Sequence, residues 1–249
     1  MIPRPFHAPT RHASENPILV ALDVPTPTQA IDLARQVAPY VGGFKVGLEL
    51  FTSGGSEVVA AIRELGSEVF LDLKFHDIPN TVAKAVANAT RLKVQWMTIH
   101  CAGGPDMIQA AVGSARENAA ALGIHPPVIL GVTVLTSMDQ AQLKAIGVGN
   151  DVEDQVAALA SMAVSAGLEG LVCSPLELER LRRNLPEPIA LVTPGIRAAT
   201  DALGDQKRVM GPKEAVAAGA TRLVMGRPIY AASDPALAAK TIAQSLGVA

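Results

Sequence analysis

At 249 residues, 49% hydrophobic and 18% charged, the chain can bury a large aliphatic core, which excludes the charged, core-poor composition of disordered proteins. A formal net charge of −2 provides no field that would draw the whole molecule to nucleic acid or an anionic membrane, so an anionic ligand must be held by local cations. Cys101 and Cys173 are too few and too far apart for a disulfide framework or a cysteine-based zinc site, and they point to a reducing, cytoplasmic setting.

Residues 1–16 combine Pro, Arg, His and Ser without an apolar run of signal-peptide type, and read as a flexible N-terminal arm. Residues 17–249 read as one domain. No linker or low-complexity tract interrupts them, and no stretch has the uninterrupted apolar length that spans a bilayer. Short β-branched apolar runs recur at 18–24, 43–46, 69–73, 97–100, 128–134, 170–173, 190–193 and 223–225. Between them the apolar residues take helical spacing, as in Ala30, Ile31, Ala34 and Val37, or Val152, Val156, Leu159 and Ala163. Thr26-Pro27 and Ser233-Asp234-Pro235 read as helix starts; Gly66, Gly123, Gly167 and Gly219 each end a helix before a strand.

Strands that alternate with helices pair in parallel, and eight such units with nearly continuous apolar strands predict an α/β protein folded as a single closed (β/α)8 barrel. An open doubly wound sheet is the alternative. It usually carries a Gly-rich turn after its first strand, whereas Leu22-Asp23-Val24-Pro25-Thr26-Pro27 has no glycine, which argues against a dinucleotide cofactor.

Barrel active sites lie at the C-terminal ends of the strands, so polar residues there are read for chemistry. Asp23 closes the first strand, Lys45 sits in the second within Gly43-Phe44-Lys45-Val46-Gly47, and Asp72 and Lys74 close the third. Strand side chains alternate, so Asp72 and Lys74 share one face while Leu71 and Leu73 point toward the helices. A structural ion pair is the plain alternative, but buried Lys and Asp rarely persist without a role. Lys45 alone in an apolar strand is ambiguous; beside Asp72 it joins a constellation. Asp77, two residues before Pro79, is either part of this cluster or only the cap of the following helix. The five histidines show no His-x-His or His-x-x-x-His spacing, so no metal site is expected.

Farther along, Thr193-Pro194-Gly195-Ile196-Arg197 leads into a polar loop through Gly204-Asp205-Gln206, and the last strand ends Met225-Gly226-Arg227-Pro228. Loops after the seventh and eighth strands commonly bind phosphate in barrels. Gly226 lets the backbone approach an anion and Arg227 offers a bidentate fork, against the alternative of an ordinary solvated arginine. A small phosphorylated substrate follows.

The run Asp72-Leu73-Lys74-Phe75-His76-Asp77-Ile78-Pro79-Asn80-Thr81 resembles the orotidine 5'-phosphate decarboxylase family. The likeness extends to Leu22-Asp23, Phe44-Lys45-Val46-Gly47, Leu135-Thr136-Ser137-Met138, Thr193-Pro194-Gly195-Ile196-Arg197, Gly204-Asp205-Gln206 and Gly226-Arg227-Pro228, and so covers nearly all of the chain after residue 17. It implies a cofactor-free lyase that converts orotidine 5'-phosphate to UMP and CO2, the last step of de novo pyrimidine nucleotide synthesis. It further implies a barrel homodimer in which Asp77 and Thr81 reach the partner's site while Asp23, Lys45, Asp72 and Lys74 serve their own. By the same resemblance, Asp23, Lys45 and the partner subunit's Thr81 hold ribose hydroxyls and the Thr136 loop addresses the pyrimidine edge. Gln206, Arg197, Gly226 and Arg227 form the phosphate cradle, with 197–207 as the lid. Lys74, with catalytic support from Asp72, Asp77 and Lys45, is the acid that protonates C6. The shorter Asp-x-Lys-x-x-Asp motif also occurs in magnesium-dependent sugar-phosphate barrels. These, a Schiff-base aldolase and a non-catalytic nucleotide-binding barrel are the competing readings.

Overall fold

The computed structural model describes residues 15–185, 187–197 and 210–248. Eight parallel strands pair in sequence order and close on themselves: β1 (Ile18–Ala21), β2 (Gly43–Gly47), β3 (Glu68–Phe75), β4 (Trp96–His100), β5 (Val128–Val132), β6 (Gly170–Val172), β7 (Ala190–Thr193) and β8 (Arg222–Met225). The seam sets Leu19 against Val224, which excludes the open sheet and gives the closed barrel expected from the alternating pattern.

Among the described residues the helices are α1 (Pro27–Val37), α2 (Leu48–Arg63), α3 (Pro79–Thr90), α4 (Gly104–Leu122), α5 (Gln140–Ala145), α6 (Val152–Ser165), α7 (Leu178–Asn184), α8 (Pro212–Ala217), α9 (Arg227–Tyr230) and α10 (Pro235–Leu246). Their ends follow the local chemistry anticipated above. Thr26 accepts a bond from the Gln29 N–H and Asp234 one from the Leu237 N–H, each with proline at the next position. The chain leaves α4 through Gly123 in the left-handed conformation, φ 64°. None of these described helices is long and apolar enough to cross a membrane.

Apart from the rim end of β3, the strands are buried on both faces, which explains their largely apolar character. Leu19, Ala21, Phe70, Trp96, Leu130, Val192 and Val224 form one cluster, the filling of the barrel. Outward residues such as Val20, Phe44, Val46 and Leu71 join Ala34, Val58, Ile62 and Val86 in the larger core beneath the helices. Toward the N-terminal ends of the strands, buried Glu68 accepts the Trp96 indole N–H at 3.0 Å and lies 3.6 Å from the Arg222 guanidinium, which stacks on the Trp96 ring. Gly43 is part of this arrangement, because a Cβ there would stand 2.4 Å from the Glu68 carbonyl oxygen.

Strand limits differ from the apolar runs at both ends of the scale. β5 stops at Val132, where the Thr133 N–H reaches the Val172 carbonyl only at 3.5 Å and its hydroxyl makes the shorter bond, 3.3 Å. β1 stops at Ala21, although Leu22 still donates to the Lys45 carbonyl at 3.0 Å. Asn16, expected in the N-terminal arm, is buried: it donates to the Tyr40 carbonyl and accepts from the Ile18 N–H, pinning the start of β1. The rest of the arm up to residue 14, and Gly204, Asp205, Gln206 and the remainder of the proposed lid from 198 onward, lie outside the described residues.

Candidate active site

Strand register stacks the inward side chains of β1, β2 and β3 in layers. Ala21, Lys45 and Phe70 pair at one level, and Gly47 pairs with Asp72 at the next. Asp23, two residues past Ala21, belongs to the upper level. Lys45 therefore starts one layer below the two carboxylates and sends its ammonium up between them, 2.9 Å from Asp23 Oδ1 and 3.9 Å from Asp72 Oδ2. The space is left by Gly47. A Cβ on that residue would lie 2.9 Å from Lys45 Nζ and 3.5 Å from Asp23 Oδ1.

Lys74 completes the row, donating to both Asp72 oxygens at 2.8 and 2.9 Å. Asp23, Lys45, Asp72 and Lys74 thus alternate in sign along the rim. The Lys45 and Asp72 side chains are only 10% and 12% exposed, so removing either partner would leave the other buried without its counter-charge.

Alternation alone anticipates that Asp72 and Lys74 share a face, but the backbone arrives there by another route. Leu71 pairs with Met97 and Phe75 with Ile99, four steps on β3 against two on β4, so β3 bulges between them. Lys74 sits in the bulge with φ 50°, a left-handed conformation that costs a non-glycine residue about 1–2 kcal/mol. Thr98, which no sequence motif singles out, bridges the bulge. Its hydroxyl accepts the Lys74 backbone N–H at 2.8 Å and donates to Asp72 Oδ1 at 2.9 Å.

The His76 and His100 rings meet beside this row, tilted by 41° with centroids 5.4 Å apart. Burial first, then His76 and Lys74, hold the His100 imidazole below its ordinary value, partly opposed by Asp72. Cys101 and Cys173 are buried just past β4 and β6, and burial pushes the Cys101 thiol up to about 12.

Asp77 is exposed and its carboxylate accepts from the Ile78 N–H at 2.6 Å. The N-cap of α3 is Ile78 and no side chain caps it, so the helix-cap reading of Asp77 is not what the structure contains. Thr81 is exposed on the first turn of α3. Neither residue lines the pocket of its own chain.

That pocket, about 670 Å³, opens at the C-terminal ends of the strands. Asp23, Lys45, Asp72 and Lys74 line it together with Arg197, Gly226 and Arg227, so the two groups singled out from opposite ends of the chain meet in one cavity. Val132, Val172 and Val224 give it an apolar floor and Thr136 stands in its wall. Arg197 is buried, its backbone N–H bonded to the Met210 carbonyl at 3.0 Å beside the Ile196–Met210 bridge. The cavity therefore offers an anion-binding side, a polar edge, and a charged row able to hold hydroxyls and deliver a proton.

Residues 16–242 match the model of a family described as orotidine 5'-phosphate decarboxylase / HUMPS. The chain is 50% identical over 233 residues to orotidine 5'-phosphate decarboxylase of Paramagnetospirillum magneticum, covering 94% of this chain and 99% of the relative. It is 49% identical over 236 residues to the enzyme of that name from Moorella thermoacetica, covering 94% and 93%. Its backbone is similar to the crystal structure of orotidine 5'-phosphate decarboxylase from Lactobacillus acidophilus, with a TM-score of 0.82, 36% identity, and coverage of 92% of this chain and 98% of that one.

Proposed function

The chain belongs to the orotidine 5'-phosphate decarboxylase / HUMPS family, and from this premise we propose that it decarboxylates orotidine 5'-phosphate to UMP, with Lys74 as the proton donor. The observation that carries the assignment is the row of alternating charge from Asp23 to Lys74 in the same cavity as Arg197 and Arg227. A phosphate held by the arginines leaves the reacting ring to lie over the apolar floor against Lys74. Asp23 and Lys45 serve the ribose hydroxyls, Thr136 the pyrimidine edge, and Gln206 with Gly226 completes the phosphate cradle. The partner subunit's Asp77 and Thr81 enter from across a homodimer, which accounts for the exposure of Asp77 and Thr81 in the single chain.

The bond from C6 to the carboxyl carbon breaks with its electron pair left on C6, and neutral CO2 departs. That pair lies in the ring plane, where the π system cannot spread it. Lys74 Nζ donates a proton to C6 and regains one from solvent after UMP leaves. Asp72, which holds Lys74 in place, also faces the departing carboxylate. Two like charges about 4 Å apart repel by roughly 4 kcal/mol at an effective dielectric of about 20, and this repulsion disappears with CO2. Only the part relieved before the transition state accelerates the reaction. The charge on Lys74 acts in the opposite sense, attracting the carbanion as it forms.

The competing magnesium-dependent chemistry of sugar-phosphate barrels is separated by one assay. Purified protein should consume orotidine 5'-phosphate, followed by its ultraviolet absorbance, at an unchanged rate in EDTA. A rate abolished by EDTA and restored by Mg²⁺ would instead indicate an enediolate mechanism, and UMP binding without any decarboxylation would indicate a nucleotide-binding module.

A further inference from the structure

We infer that Thr98 is a positioning residue of this reaction: its buried hydroxyl, fixed between the Asp72 carboxylate and the Lys74 backbone, sets the Lys74 ammonium at the reacting carbon. The inference rests on the decarboxylase reading above. Thr98 does not line the cavity, so it acts through its two neighbours.

The bulge in β3 removes the Lys74 N–H from the regular β3–β4 ladder. A buried N–H without an acceptor is strongly unfavourable, and the Thr98 oxygen takes that place at 2.8 Å. A hydroxyl has one hydrogen and two lone pairs. With the N–H on the oxygen, the remaining hydrogen is directed to Asp72 Oδ1 at 2.9 Å. One atom thereby sets both the position of the Lys74 backbone and the rotation of the carboxylate that holds Lys74 Nζ. The β-branched side chain, with no exposed surface, has few rotamers open to it.

Backbone strain supports the same conclusion. Lys74 and Lys93 are the non-glycine residues with positive φ among those described. Lys93 ends a turn after α3, its N–H bonded to the Thr90 carbonyl. Lys74 lies within a strand, and a strained conformation there persists only where its surroundings over-determine it. The Thr98 bond at the backbone and the paired Asp72 bonds at the ammonium, 2.8 and 2.9 Å, constrain Lys74 from both ends.

The test compares wild type with Thr98→Val, which keeps the shape and removes the hydroxyl, and Thr98→Ser, which keeps the hydroxyl. Thr98→Val should lower kcat by about 100-fold, the effect of a misplacement of about 1 Å, with KM and UMP affinity changed by less than about threefold. Thr98→Ser should recover most of kcat. Wild-type kcat in Thr98→Val, an equal loss in Thr98→Ser, or a change confined to KM overturns the assignment. Should Thr98→Val not fold, Thr98→Ala provides the same contrast. A crystal structure of the hydroxyl-free variant decides the matter independently of turnover: Lys74 displaced from its left-handed conformation or from Asp72 supports positioning, and an unmoved Lys74 refutes it. A wild-type protein inactive on orotidine 5'-phosphate would sink the decarboxylase reading, while that crystal structure would still judge Thr98.

Discussion

At the scale of single residues, the proposed mechanism divides binding from chemistry within the cavity, and substitutions should divide the same way. Lys74→Ala should abolish turnover while leaving UMP binding nearly intact, because it removes the proposed proton donor and not the proposed phosphate grip. Arg227→Ala should act chiefly on KM, raising it by about 10- to 100-fold, the range of one or two charge-assisted hydrogen bonds. Steady-state kinetics with a UMP titration separates the two, and near-normal turnover in Lys74→Ala would overturn the role of that lysine. His100 makes a prediction about stability. Its folded-state value lies below the ordinary 6.5, so below that pH the unfolded chain takes up a proton that the folded chain resists. His100 therefore costs stability as pH falls from 6.5 through its folded value, and contributes no pH dependence above that window. His100→Asn should flatten the fall of Tm in that acid range; an unchanged profile would mean that other groups cause it.

At the scale of elements, the charged row depends on β2 and β3 being in one particular register. Gly47 pairs with Asp72 and leaves the gap through which Lys45 reaches two carboxylates. Gly47→Ala would place a methyl group 2.9 Å from Lys45 Nζ, so the ammonium must withdraw from Asp23. The expected result is a loss of about 10-fold or more in kcat/KM with the barrel still folded, read by kinetics beside a circular dichroism melt. A wild-type value would show that the lysine can be served from elsewhere. The apolar runs made all eight strands legible from sequence, because they are periodic and local, and alternation anticipated the shared face of Asp72 and Lys74 although a bulge brings it about. The bulge, the left-handed Lys74 and the bridging Thr98 were not. They depend on how β3 passes β4, a non-local pairing on which the spacing of residues along either strand is silent. Asp77 shows the same limit from the other side: next to a proline-started helix it resembles a cap, yet Ile78 occupies that position and leaves the carboxylate at the surface.

At the scale of the whole molecule, the proposed sharing of Asp77 and Thr81 between subunits makes activity a property of pairs. Lys74→Ala and Asp77→Ala should each be nearly inactive alone. Refolded together in equal amounts, half of the pairs become hybrids, and each hybrid regains one site with both residues intact, so about a quarter of wild-type activity should return. A mixture that stays inactive would place Asp77 in its own chain's site. Within each chain, the sheet closes where β1 pairs with β8. All four members of the charged row are complete by residue 74, whereas Gly226 and Arg227 follow the last strand. A growing polypeptide therefore carries the proposed proton donor through most of synthesis on an unclosed edge, without Gly226 and Arg227 of the proposed phosphate cradle. On this assignment competence to bind and to react should appear together, when the final strand leaves the ribosome and seals the ring, and a fragment missing either terminal strand is expected to have neither.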